Sequence, residues 1–519
     1  MPMRAVVCAI LGGCGASLVG GVGLGEPVDA GLALEVGPEQ PCRAPAASIH
    51  FAEGGEDFGL QASATPDGGH EEGGFLVLDD VTGDGWLDLL VGFQGTNSFY
   101  LGGEDGLAAP VPAPPAGTMG LFDMDGDGVR DVLLAGGPTP GLPYLVYASG
   151  SHQPGEAPAD GLVGAGGIRK DFTFGDLDGD RALDVFIVGA QSPDGAAPNG
   201  TVLWGSPDGL VPGPTTPSTL DGRRGFDAVP IDIDLDGLDE IYIANDMGTE
   251  FGGNVLLSVE EGRLTDRTTT CACGLASSAM SVTAGDADGD GRADLYVGGD
   301  QESLLLGAAD GTFVDVAQAS DAHGGFGLEM SGNSPFADVD NDGWDDFVLP
   351  MGDWWGPSFP DDAPRYESPI RVLRRGTDAH YADIGEAVGF PTEGSWRSVV
   401  ARDVNGDGIL DWLASDVRRR PQWLLSDGCT ANGWVSVDAP EGARVEVSAG
   451  GRTWSRRATS DQGYGASAAP RVHVGVGTAS VIDLVRVVTV EGAVYEAHAV
   501  APRRRIGVPG TPMPALGGM

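Results

Sequence analysis

The feature that most constrains this chain is a nine-residue acidic turn that recurs seven times. In each copy the first, third, fifth and ninth residues offer a side-chain oxygen. The first three copies supply Asp80, Thr82, Asp84 and Asp88, then Asp123, Asp125, Asp127 and Asp131, then Asp176, Asp178, Asp180 and Asp184. The fourth and fifth supply Asp232, Asp234, Asp236 and Glu240, and Asp286, Asp288, Asp290 and Asp294. The sixth and seventh supply Asp338, Asp340, Asp342 and Asp346, and Asp403, Asn405, Asp407 and Asp411. Carboxylates crowded at alternate positions of a tight turn repel one another and are best tolerated around a cation. Oxygen donors at positions 1, 3, 5 and 9, a backbone carbonyl at 7 and a glycine at 6 suit calcium's loose shell of six to eight oxygens. Magnesium, with its tight octahedron and retained waters, is disfavoured. Up to seven calcium ions are expected, one per turn.

A helix-flanked EF-hand would place a bidentate glutamate at position 12. Here that position holds Val91, Leu134, Ile187, Ile243, Val297, Leu349 and Ala414, so the EF-hand is excluded. Each turn runs instead into an apolar, β-branched stretch such as Leu89 to Val91 or Ile241 to Ile243, which reads as a buried strand. Turn starts lie 43, 53, 56, 54, 52 and 65 residues apart, room for about four short strands, which is one propeller blade. The expected fold is all-β: a seven-bladed β-propeller followed by a small β-rich domain. Ile49 to Glu53 looks like one more copy of a secondary repeat seen between the turns, and is expected to close the last blade.

These turns resemble the FG-GAP or VCBS repeats of integrin α-subunit propellers, and Ile241-Tyr-Ile-Ala-Asn-Asp246 resembles the cartilage acidic protein family. Residues 434 to 496 resemble the ASPIC/UnbV domain that ends members of that family, on Glu441 to Val447, Val472 to Gly477 and Val481 to Val487. Val474 and Val476 stand where that domain's His-Phe-Gly-Leu-Gly motif has Phe and Leu. The resemblance implies secretion and calcium binding and no agreed molecular activity. The expected organisation is an export signal over 1–25, a linker over 26–47, the propeller over 48–428, the ASPIC/UnbV-like domain over 429–508 and a tail over 509–519.

Arg4 followed by the uncharged stretch Ala5 to Gly25 suits an export signal. Leu11-Gly-Gly-Cys14 resembles a lipobox, so a lipid anchor at Cys14 and ordinary cleavage near Gly25 are rival outcomes. Beyond that segment Cys42, Cys271, Cys273 and Cys429 remain, an even number that fits disulfides in an oxidising compartment. Cys42 and Cys429 flank the repeats, where a bridge would staple the two ends; the close pair Cys271 and Cys273 is read as either free or bridged. A formal charge of −47 disfavours nucleic acid and anionic lipid as partners. Fourteen positive charges from seven divalent ions still leave about −33, and the surplus acid favours solubility.

No zinc-protease motif and no nucleophile elbow is present, and the seven histidines are scattered singly, so no catalytic residue is assigned. The chain reads as a secreted or cell-envelope binding or scaffolding protein, of adhesion type, for a protein or glycan ligand, with structural calcium. An alternative is a carbohydrate-binding module stacking sugars on Trp354, Trp355 and Phe359 in the longest interval between turns, and a polysaccharide-active or biosynthetic enzyme is a weaker one. Three turns are expected to hold metal most weakly: the third with Arg181 at the glycine position, the fourth with Glu240 (and Asp239 as a substitute ligand), and the first with Thr82.

Overall fold

The computed structural model describes residues 32–40, 42, 49–54, 74–93, 96–113, 118–123, 130–135, 145–147, 168–190, 199–206, 210–324, 329–352, 367–417, 419–426 and 428–511. Between Phe51 and Ser426 the described residues build seven antiparallel sheets, each following one acidic turn's repeat. The fourth sheet is typical, with Arg224–Ile231, Glu240–Asp246, Val255–Glu260 and Arg263–Asp266 in sequence order. The first strands of successive sheets lie against one another. They run from Phe75–Asp79 through Thr118–Phe122, Ile168–Gly175, Arg224–Ile231 and Ala279–Gly285 to the sixth sheet, and Trp396–Arg402 of the seventh returns to Phe75–Asp79. The ring is therefore closed, as a propeller's must be.

Blades pack face to face, so their second strands are covered on both sides, and this is why they read as unbroken apolar runs. Leu89, Val91, Ile241, Ile243, Leu295 and Val297 are all buried. The seventh blade fills its space with Trp396, Trp412 and Trp423, each fully buried. Its outermost strand is Phe51–Glu53, which pairs with Gln422–Ser426, so the N-terminal side of the chain closes the ring as expected. Cys42 and Cys429 are joined by a disulfide across the same seam. Chain-entropy arguments give a cross-link of that span on the order of 5 kcal/mol.

The C-terminal region is a two-sheet sandwich. One sheet orders Arg504–Gly507, Gly433–Asp438 and Arg471–Gly477; the other orders Val494–Val500, Ile482–Val488, Arg444–Ala449 and Arg452–Arg457. Val435, Val437, Val445, Val447, Val485 and Ile506 meet in the core between them. Within the segment read as a linker, Leu32–Ala33 pairs with Val494–Val500 and Glu35–Glu39 with Arg504–Gly507, so this stretch adds an edge strand to each sheet.

The sandwich also sends residues 459–469 into the ring. Ala466–Ala468 pairs in parallel with Phe75–Asp79 of the first blade. Ser460 Oγ donates to the Leu121 carbonyl (3.0 Å), Gln462 Oε1 accepts the Ala401 N–H (2.9 Å), and the Tyr464 N–H donates to Asp227 (3.0 Å). The Tyr464 ring lies 5.6 Å from Phe75 and 5.0 Å from Phe226, centroid to centroid. Contacts to the first strands of four different blades place this segment on the propeller axis.

Candidate metal centres

Every acidic turn joins the first strand of a blade to the second. The ninth residue of each turn is the first residue of the second strand: Asp88, Asp131, Asp184, Glu240, Asp294, Asp346 and Asp411. Because the connection is the same in every blade, the turns lie on one face of the ring. The ninth-position carboxylate acts as a clamp. One of its oxygens accepts the second-position N–H, from Leu177, Ala287, Val339 and Val404 at 2.7 to 3.0 Å, and Glu240 does the same for Ile233 at 3.1 Å. In the aspartate turns the other accepts an N–H at or just beyond the end of the third strand, from Gly102, Gly205, Gly307, Arg375 and Ser426 at 2.7 to 2.8 Å.

Position 1 accepts the N–H of position 6, as Asp80 does from Gly85 (2.7 Å), Asp232 from Gly237 (3.1 Å) and Asp338 from Gly343 (2.7 Å). Position 5 accepts that of position 7, as Asp342 does from Trp344 (3.0 Å). These bonds draw the turn into a knot with its carboxylates converging. The knot needs left-handed backbone at two places. Position 6 has φ of 91° at Gly85, 84° at Gly291 and 93° at Gly343, and Arg181 is held at 69°. Position 4 is left-handed as well, at Gly83, Gly179, Gly289 and Gly406, and also at Leu235 (60°) and Asn341 (61°). A non-glycine residue there costs about 1–2 kcal/mol, less for asparagine.

Three-carboxylate groups converge in four turns: Asp176, Asp178 and Asp184; Asp232, Asp234 and Asp236; Asp286, Asp288 and Asp290; and Asp338, Asp340 and Asp346. In each, one oxygen per residue lies within 4.8 Å of the others. The first and seventh turns carry neutral residues at position 3. Thr82 Oγ1 donates to Asp80 (3.4 Å), and Asn405 Nδ2 donates to Asp411 (3.2 Å). In the second turn Asp125 and Asp127 lie outside the described residues, as do Trp354, Trp355 and Phe359, the export segment and Cys14. Asp239, read as a possible substitute ligand, has its carboxylate paired with Arg457 of the C-terminal sandwich and is not among the three carboxylates that converge in the fourth turn.

The electrostatics call for a cation. Burial, and then repulsion from the other acids of the same turn, raise Asp88 and Asp403 to about 6 and Asp184, Glu240 and Asp294 to about 7. Asp338, Asp346 and Asp411 are pushed well above the carboxylate range for the same reasons. Asp286 Oδ1 is buried with no hydrogen-bond partner among the described residues. A hard divalent ion satisfies such oxygens and reverses those shifts, so the donor set fits calcium.

The sandwich sits on this face, a contact that sequence reasoning missed. Arg444 pairs with Asp232 (3.1 Å), Arg456 with Asp345 (2.6 Å), and Arg457 with Asp239. Trp454 Nε1 donates to the Gly343 carbonyl (2.8 Å), and His473 bridges Asn341 Oδ1 and Ser436 Oγ, both at 2.7 Å. Burial, and then Arg471, lower His473 to about 3, so this histidine is a neutral structural group. A signal was available: the fourth and sixth turns carry an extra acid at position 8, Asp239 and Asp345, and adjacent arginines, Arg456 and Arg457, answer both.

Comparison with known proteins places these features. The FG-GAP-like repeat family matches residues 80–134 and 232–297, and the ASPIC and UnbV family matches residues 438–509. No curated protein matches the chain. Among solved structures, BBS1N in complex with ARL6DN, soaked with lead, is 9% identical over 72% of this chain and 96% of that one, with a TM-score of 0.43. The V. cholerae biofilm matrix protein Bap1 is 13% identical over 88% of this chain and 64% of that one, with a TM-score of 0.26. The chain thus carries FG-GAP-like repeats and, C-terminal to them, an ASPIC and UnbV domain.

Proposed function

We propose that this protein is an exported calcium-binding propeller that serves as a surface or matrix scaffold for a protein or glycan partner and does not turn over a substrate. The observation that carries the reading is the convergence of four three-carboxylate groups on one face of a closed ring. FG-GAP-like repeats joined to an ASPIC and UnbV domain support an extracellular, adhesion-type role. The disulfides found among the described residues, Cys42–Cys429 and Cys271–Cys273, support an oxidising compartment. Among the described residues no helix is long and apolar enough to cross a membrane. A lipid on Cys14 supplies a membrane anchor if the lipobox is processed.

Calcium in this reading is structural. Extracellular sites bind with dissociation constants of about 0.1 to 1 mM. At ten times that concentration each occupied site contributes roughly 1.4 kcal/mol. Native mass spectrometry of protein from its own host reads the mature N-terminus and the bound metal together. Four or more calcium ions on a chain that has lost its N-terminal segment support the proposal. An intact N-terminus and a metal-free chain at 2 mM calcium overturn it.

A further inference from the structure

We infer that a small inorganic anion of the chloride class binds between Arg402 and Arg471, where the seventh blade meets the C-terminal sandwich. Arg402 ends the first strand of that blade and is 2% exposed. Its Nη1 donates to the Ala469 carbonyl at 2.9 Å, while Nε and Nη2 are buried and have no partner among the described residues. Arg471 lies two residues beyond Ala469, with its side chain 8% exposed. Its Nε donates to Asp438 Oδ1 at 2.8 Å, and its Nη2 is also buried without a partner. Two guanidinium groups thus leave N–H donors unspent at one junction.

The neighbouring acids are already engaged. Asp438 accepts from Arg471 and also from Arg505, at 2.6 Å to one oxygen and 3.2 Å to the other. Asp79 is held by Arg130. Asp403 accepts the Gly406 and Gly408 N–H groups and belongs to the seventh metal turn. Arginine does not lose its proton in proteins, so the unspent donors are satisfied by a ligand and not by titration. Water satisfies donors but leaves the charge, whereas an anion does both. A cavity of about 280 Å³ lies between the propeller and the sandwich, and its wall includes Arg471, His473, Gln462 and Ala401, the chain neighbour of Arg402. From there a small anion has a route to Arg471, while the buried setting disfavours a bulky one.

The full chain, loaded with calcium, tests this in two ways with bromide as the probe. Crystals grown in sodium bromide are expected to show an anomalous peak between Arg402 and Arg471. The melting temperature is expected to be a few degrees higher in sodium bromide or chloride than in a bulky sulfonate salt of equal ionic strength, and Arg402→Met is expected to abolish that difference. Density for an ordered water only, or a salt difference that persists in Arg402→Met, overturns the assignment. If Arg402→Met does not fold, the bromide peak in the unaltered protein decides.

Discussion

The third and sixth acidic turns carry the same spacing and live in opposite surroundings. In the third, Asp178 and Asp180 are exposed, and Arg181 occupies the left-handed position that other turns give to glycine. In the sixth, Asp338, Asn341 and Asp346 are buried, and the sandwich caps the turn through Trp454, His473 and Arg456. Arg374 adds a second cation, 2.6 Å from Asp340. A shared local code therefore sets the geometry, while the cover decides how much charge is desolvated. The carboxylates of an open turn lean on solvent. Those of a covered one lean on arginines.

The comparison is broken most directly at Arg456. Arg456→Met strands Asp345 in a buried position, which is expected to cost about 3–5 kcal/mol in urea denaturation. A change within about 0.5 kcal/mol would mean the cap does not carry the sixth turn. Next in size, Asp338→Asn is expected to lose roughly 1–3 kcal/mol, because the amide turns a donor toward the N–H groups of Asp342 and Gly343. Asp178→Asn in the exposed turn is expected to stay within about 0.5 kcal/mol when measured without calcium.

A third group of acids, on the propeller axis, sharpens the contrast because neither turn nor arginine serves it. Burial raises Asp227 to about 7, and burial followed by the charge of Asp227 and Asp461 holds Asp171 well above the ordinary range. With its folded value above the unfolded one, Asp227 gives stability that is present below about pH 4 and is lost as pH rises through about 7, and Asp171 is shifted in the same direction. Asp171→Asn keeps the oxygen that accepts the Phe172 N–H (2.7 Å) and removes one charge. Its melting temperature should exceed that of the unaltered protein at pH 8 and match it near pH 4. Equal slopes in both proteins would place the titration elsewhere. A change of opposite sign is expected at Arg181→Gly, which relieves the left-handed strain and should stabilise the third turn by about 1 kcal/mol, with tighter calcium binding by titration calorimetry.

Much of the propeller was legible because each blade repeats one connection, so a single spacing fixes the turn, the second strand and the face on which the turn lies. Glycine at position 6 was readable, and the same need at position 4 was equally present in Gly83, Gly179, Gly289 and Gly406. What was hidden is non-local. The Gly-rich stretch from Ser460 to Ala468 has no strand periodicity, and its place on the axis depends on partners such as Leu121, Asp227 and Ala401, which lie in other blades. Leu32–Ala33 and Glu35–Glu39 are too short to be recognised without the sandwich edges that they complete. Asp239 illustrates the same limit: at position 8 beside an acidic turn it reads as a spare ligand, and nothing local shows that Arg457, more than two hundred residues away, pairs with it.

The central claim is that divalent metal in the acidic turns holds the ring together. Thermal unfolding of the full chain at pH 7.5, with excess calcium and then with excess chelator, tests it most directly. The account predicts a melting temperature lower by about 5–10 °C after chelation and restored by calcium, as expected when four to seven sites each contribute about 1.4 kcal/mol in a chain of this size. A melting temperature unchanged by chelation, in protein that carried no calcium beforehand, would contradict it.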